Sequence, residues 1–380
     1  MTGDSSALRL RTVDEVGPEL CIVVPTFNEK SNIVPLVQEL SGVLGEIAWE
    51  LIIVDDDSAD GTARAVRELG VHRWRVRCLQ RIGRRGLSTA CIEGMLASSA
   101  PYLAVMDGDL QHDPKILPIM LGLLKTTDCE IAVGSRYAEG GSTANWNPSR
   151  LHISRIATRL GYRLVPPDLR DPMSGFFMLR RQFFEEVVYR LSGLGFKILM
   201  DIFASAHRPV DFREVPFVFR TRRTGESKLD SQVAWEYLML LADKMVGRFV
   251  PVRFLAFGTV GTAGILLHFL IVALLFRWAG ASFVQAQAIG TVLTMVWNYT
   301  LNNLLTYRDR RRRGLSWITG LASFLVVCSV GAVANVGVAA YLFNRQSQWT
   351  LAALGGVLVG AVWNFAVSSA YTWGTPRRFA

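Results

Sequence analysis

In the first half of the chain, short uninterrupted apolar runs alternate with longer stretches in which apolar residues recur every three or four positions. Residues 20–24, 49–54, 102–106 and 131–133 are of the first kind and predict strands. Ile33, Leu36, Val37 and Leu40 carry a helical period, and further helices are expected from about Gly61 and over residues 87–98. Strands that are continuously apolar are covered on both faces, so the pattern predicts an α/β domain with a mostly parallel, Rossmann-like sheet. Beyond Phe254 the pattern changes. Four stretches, near 254–276, 284–306, 316–343 and 350–373, run free of Asp, Glu, Lys and Arg. Each has the roughly twenty residues a membrane-spanning helix needs, which predicts an all-α transmembrane domain of four helices.

Three of the strands end in acidic residues: Glu29 after the first, Asp55, Asp56 and Asp57 after the second, Asp107 and Asp109 after the third. In a parallel sheet the C-terminal strand ends share one edge, and ligands bind there. Carboxylates gathered at one edge repel each other, and a hard divalent cation bridging them to phosphate would relieve that. Other nucleotide and hydrolase chemistries lack their motifs. The chain has no GxxxxGK[ST], no GxGxxG after its first strand, no HExxH and no GxSxG.

Charge refines this picture. The net charge is +9, but no nucleic-acid-binding module accompanies it, so no nucleic acid is expected as a partner. Basic residues beside the spans instead suit a lipid bilayer. The run 308–313 and the pair Arg377-Arg378 are basic, which by the positive-inside rule places both, and the first domain, on the cytosolic side. Five scattered cysteines without CxxC spacing agree with a reducing compartment.

Pro25-Thr26-Phe27-Asn28-Glu29, Val54-Asp55-Asp56-Asp57-Ser58-Ala59-Asp60-Gly61-Thr62 and Asp107-Gly108-Asp109-Leu110-Gln111-His112 together resemble the nucleotide-sugar motifs of family 2 glycosyltransferases with the GT-A fold. Gly134-Ser135-Arg136, Ser154-Arg155, Asp171-Pro172-Met173-Ser174-Gly175-Phe176-Phe177, Gly195-Phe196-Lys197-Ile198-Leu199 and Gly225-Glu226-Ser227-Lys228-Leu229 narrow the resemblance to dolichyl- and polyprenyl-phosphate mannose synthases. It implies that Pro25, Phe27, Glu29, Val54 and Asp56 hold the nucleoside, and that Asp107, Gly108 and Asp109 line the diphosphate. Asp109 and Gln111 would be ligands of Mg²⁺ or Mn²⁺. Arg136, Arg222 and Lys228 would bind phosphate groups and, with Asp109, form the catalytic set. Arg136, Arg150 and Ser154 would meet the acceptor phosphate. Phe27 stands where the family usually has tyrosine, and Gly108 where it usually has alanine.

The implied reaction is inverting transfer of mannose from GDP-mannose to dolichyl or polyprenyl phosphate, with UDP-glucose as the alternative donor. A processive polysaccharide synthase would show a Gln-x-x-Arg-Trp motif, which is missing. A role of another class is transport, with the four spans flipping or scaffolding a glycolipid.

The second half resembles the GtrA-type membrane domain. It contains a repeat: Val296-Trp297-Asn298-Tyr299 precedes Thr306-Tyr307 as Val362-Trp363-Asn364-Phe365 precedes Thr372-Trp373. Phe254 and Phe324, and Gly261 and Gly331, are expected to be equivalent positions of two helical hairpins. The asparagines 298, 302, 303, 335 and 364 lie at membrane depth and are expected to bond between helices. The expected organisation is therefore a disordered 1–18, a catalytic domain over 19–230, an amphipathic interface helix over 231–252 and the membrane domain over 253–380. A multi-pass protein of a prokaryotic plasma membrane is the expected setting.

Overall fold

The computed structural model describes residues 17–72, 75–140, 165–193, 195–220, 239–244, 247, 250–345 and 348–374. Its contacts divide the chain into two units, Met1–Leu229 and Asp230–Ala380.

The first unit is built on a seven-stranded sheet of order β3-β2-β1-β4-β6-β5-β7. The strands are β1 (Leu20–Thr26), β2 (Trp49–Asp55), β3 (Val76–Gln80), β4 (Tyr102–Val105), β5 (Ile131–Ser135), β6 (Phe177–Arg180) and β7 (Phe212–Pro216). All neighbours run parallel except β6, which is antiparallel to β4 and β5. The four strands read from apolar runs are buried, as is β6. The other three escape that reading for physical reasons. β3 and β7 are edge strands that mix apolar with exposed polar residues, and β6 runs straight into a helix at Arg181, so its apolar run does not stand apart from the helical one.

The helices α1 (Lys30–Leu44), α2 (Thr62–His72), α3 (Leu87–Leu96), α4 (Leu117–Thr126), α5 (Arg181–Val187) and α6 (Ile198–Ser205) connect or cover the strands. α1 buries Ile33, Leu36, Val37 and Leu40, its apolar stripe. Gly94 lets α3 lie close on the sheet, since a Cβ there would meet Val54 Cγ2 at 2.9 Å and collide with Val23. The chain leaves β1 toward β2 and β3, then returns to place β4 on the other side of β1. The C-terminal ends of β1 and β4 thus flank a topological switch point, where such sheets bind ligands.

The second unit contains α7 (Val252–Arg277), α8 (Phe283–Leu301), α9 (Leu315–Asn344) and α10 (Trp349–Val367). α7 pairs with α8 and α9 with α10. By length and apolarity, three segments among the described residues can cross a membrane: Val252–Arg277, Leu315–Leu342 and Leu354–Thr372. α8 covers the remaining expected span but carries Gln285, Gln287, Thr291, Thr294 and Asn298.

The repeat is structural. α8 and α10 each end in a π-turn, Asn302–Thr306 and Ser368–Thr372, and the residues that follow, Tyr307 and Trp373, stack at 4.1 Å. The glycine register differs from the sequence reading. A Cβ at Gly264 would collide with the Asn298 side chain and one at Gly331 with Asn364, whereas Gly261 has open space. Gly264, not Gly261, is the counterpart of Gly331. The asparagines are not simply inter-helix bonds either: Asn302 donates to Asn298 O in its own helix, and Asn303 bonds Arg312 and the Trp373 indole.

Candidate active site

The loops after β1, β2 and β4 are strained in the same way. Asn28, Asp57 and Leu110 have φ of 58°, 58° and 63°, and they are the non-glycine residues with positive φ among those described. Each sits in one of the three acidic motifs. Asparagine and aspartate tolerate this region; for Leu110 it is a cost met by the packing of its buried side chain.

The β1 and β2 loops are stitched together. Asn28 N donates to Ser58 Oγ at 2.8 Å, Ala59 N to Asn28 Oδ1 at 3.2 Å, Glu29 N to Thr62 Oγ1 at 3.1 Å and Lys30 N to Asp60 Oδ2 at 3.0 Å. The Asp55–Asp57 carboxylates are not a repelling cluster awaiting an ion. Asp55 accepts from Ser58 N and Oγ. Asp56 accepts from Arg81 Nη1 at 2.8 Å and Gly86 N at 2.7 Å. Asp57 accepts from Gly83 N at 3.2 Å. Arg81 is buried with Asp56, and burial pushes the Asp56 carboxyl up while Gly86 and Arg81 pull it down. Arg81 was not among the residues read from the sequence; a lone arginine after a weak edge strand gives no signal.

The β4 loop turns back on itself through His112. Its Nδ1 accepts from Asp107 N at 3.1 Å, which places the ring proton on Nε2, 3.7 Å from Asp107 Oδ2. The ring stacks on Phe176 at 5.0 Å and meets Phe217 and Phe219 edge-on. Burial lowers the His112 pKa and keeps it neutral. Asp107 is held above the usual carboxylate range by burial, opposed by His112 and reinforced by Asp109, with Lys197 and Arg136 also pulling it down. Gly175 makes room for it, since a Cβ there would lie 3.2 Å from Asp107 Oδ2. Gly108 is tight as well: an alanine Cβ would meet Val24 and Thr26 at 3.2 and 3.3 Å.

Asp109 Oδ1 accepts from Gln111 N at 3.1 Å, and Gln111 Nε2 donates to Arg220 O at 2.9 Å. That second bond turns the amide and fixes where its carbonyl oxygen points. Arg136, at the end of β5, gives one edge of its guanidinium to Asp171, with Nε and Nη2 at 2.8 and 2.7 Å, and its backbone N also donates to Asp171. Asp171 is fully buried and hangs from Glu214, which accepts from the backbone N of Asp171 and of Arg170. Pro25 and Val54 are neighbours in the β1–β2 register. Glu29 accepts from Asn32 Nδ2 at 2.6 Å. Arg150, Ser154, Arg222 and Lys228 lie outside the described residues, as does most of the segment expected to form the interface helix.

This edge holds oxygen donors beside cations, which suits a nucleoside diphosphate. Residues 21–188 match the glycosyl transferase family 2 domain, and residues 256–373 match the GtrA/DPMS transmembrane domain. A dolichol-phosphate mannosyltransferase of Pyrococcus furiosus is 33% identical over 94% of this chain and 100% of its own. The chain belongs to the family 2 glycosyltransferases. A second relative, the dolichol-phosphate mannosyltransferase of Saccharomyces cerevisiae, is 38% identical over 61% of this chain and 88% of its own. Glucosyl-3-phosphoglycerate synthase of Mycobacterium tuberculosis is 19% identical over 60% of this chain and 80% of its own, with a TM-score of 0.46, too remote to bear on the reaction. This glycosyltransferase is a membrane protein in which an α/β GT-A domain precedes an all-α GtrA-type domain.

Proposed function

We propose that this glycosyltransferase moves mannose from GDP-mannose to the phosphate of a dolichol-type polyprenyl lipid, inverting the anomeric carbon. The observation that carries the reading is its 33% identity to a dolichol-phosphate mannosyltransferase across the full length of that relative. In the proposed step an oxygen of the lipid phosphate bonds to the anomeric carbon while the bond from that carbon to the diphosphate breaks, and the electron pair leaves with GDP. The nucleophile is ionised at neutral pH, so the site needs alignment and charge neutralisation rather than a strong base.

Pro25, Phe27, Glu29, Val54 and Asp56 would hold the nucleoside, and Asp107, Gly108 and Asp109 the diphosphate. Asp109 and Gln111 are hard oxygen donors one turn of loop apart, and Gln111 is oriented by Arg220, which suits Mg²⁺ or Mn²⁺. Among the described residues no group of three or more His, Cys, Asp or Glu is placed to hold a metal. When bound, the ion would neutralise charge on the departing diphosphate. Arg136, oriented by Asp171, would meet the acceptor phosphate together with Arg150 and Ser154. Arg222 and Lys228 would complete the phosphate contacts. The catalytic domain would span 19–230 on the cytosolic side of a plasma membrane, with 253–380 as the membrane domain.

The test is transfer of labelled sugar to a polyprenyl phosphate by the full-length protein in detergent and lipid. Metal-dependent lipid product from GDP-mannose is expected, abolished by EDTA and by Asp109→Ala. Product from UDP-glucose alone would change the donor, and no lipid product from either would reject the reading.

A further inference from the structure

Between β3 and α3 the chain forms a strap, residues 81–86, whose arginines have separate fates. Arg81 is buried on Asp56. Arg84 is bound in a fork to Glu93, both bonds at 2.9 Å. Arg85 is exposed and has no ion-pair partner among the described residues; its guanidinium carbon lies 4.0 Å above the centre of the Phe27 ring. The strap is fixed to the β2 loop at three points: Arg81 and Gly86 on Asp56, and Gly83 on Asp57. Gly86 has φ of 149°, a conformation that lets the chain turn straight into α3. Arg85 is therefore held over the end of β1 by a framework that does not use its side chain.

Phe27 is the ring on which the nucleoside is proposed to rest. We propose that Arg85 is a nucleotide-binding residue and that the strap is the outer wall of the donor pocket, so that the nucleoside diphosphate meets a guanidinium already seated on Phe27. This rests on the donor-site reading given above. A guanidinium is planar, stacks on aromatic faces and keeps its N–H edge for anionic oxygens, so it can contact a base or a diphosphate without leaving the ring. A lysine keeps the charge and loses the plane.

The test is equilibrium binding of GDP, and of guanosine, to the full-length protein and to its Arg85→Ala, Arg85→Lys, Phe27→Ala and double Arg85→Ala/Phe27→Ala variants. Arg85→Ala is expected to weaken GDP binding roughly tenfold, with Arg85→Lys intermediate. The double variant should lose less than the product of the two single losses, because the ring and the cation act as one unit. A loss for both ligands puts the guanidinium on the base, and a loss for GDP alone puts it on the phosphates. Arg85→Ala binding GDP within about twofold of the parent, or losses that simply multiply, would overturn the proposal while leaving the donor site intact. If the parent binds UDP rather than GDP, the same comparison is made with UDP and uridine. A parent that binds neither nucleotide rejects the donor-site reading itself and the role of Arg85 with it.

Discussion

A carboxylate at the end of a strand meets one of two environments in this protein. Asp55 is satisfied within its own loop by Ser58, whereas Asp56 and Asp57 are satisfied by the 81–86 strap, through the Arg81 guanidinium and the backbone N–H groups of Gly86 and Gly83. Asp107 and Asp109 belong to a loop closed by His112 and Gln111. The buried Arg81–Asp56 pair is the most exacting of these contacts. Removing one partner strands the other, so Arg81→Met is expected to destabilise the protein by about 3–5 kcal/mol, read from chemical denaturation. His112 makes a prediction about pH. Its folded pKa is lowered by burial, so the unfolded chain binds its proton first. The stability it contributes is present above the unfolded value of about 6.5 and is lost as pH falls below it. Between pH 7.5 and 5.5 the unfolding temperature of the parent should therefore drop more than that of His112→Asn, which keeps an acceptor for Asp107 N and does not titrate. Equal drops would show that another group governs this range.

Elements are placed here by what their side chains leave room for. α3 reaches the sheet only because Gly94 has no Cβ, so Gly94→Ala should cost about 1–3 kcal/mol through overpacking against Val23 and Val54. The two membrane hairpins use the same device, with an asparagine of one helix seated on a glycine of its partner: Asn298 on Gly264, Asn364 on Gly331. Gly264→Val and Gly331→Val are each expected to lower the melting temperature in detergent, while Gly261→Val, facing open space, should leave it unchanged. A reversed order would restore the register read from the sequence. The matching π-turns and the Tyr307–Trp373 stack tie the ends of α8 and α10 together.

For the molecule as a whole, the basic run 308–313 follows the π-turn that ends α8, while the turn between α7 and α8 carries no charge. α7, with 26 residues, is about 39 Å long and exceeds a hydrocarbon core of about 30 Å. The positive-inside rule then predicts that a cysteine replacing Ala279 is labelled by an impermeant thiol reagent in intact cells, while one replacing Arg311 is labelled only after lysis. Labelling of both, or the opposite pattern, would reverse the proposed orientation.

Periodicity alone determined much of this protein. Continuous apolar runs mark the inner strands because a parallel sheet buries both faces, and long uncharged runs mark membrane helices because lipid offers no partner for charge. Three acidic strand ends pointed to one edge, since parallel strands share a direction. Edge strands β3 and β7 gave no such signal, because one side of each faces water and mixed residues suffice there. Which carboxylates are tied up by partners was decided by contacts between residues far apart in sequence, such as Asp56 with Arg81 and Asp171 with Arg136. The same holds for Gly264, whose role depends on the side chain it meets across a hairpin. A hydrogen bond or a steric contact is set by distance in space, and a one-dimensional pattern carries that distance only when the partners share a helix face or a strand.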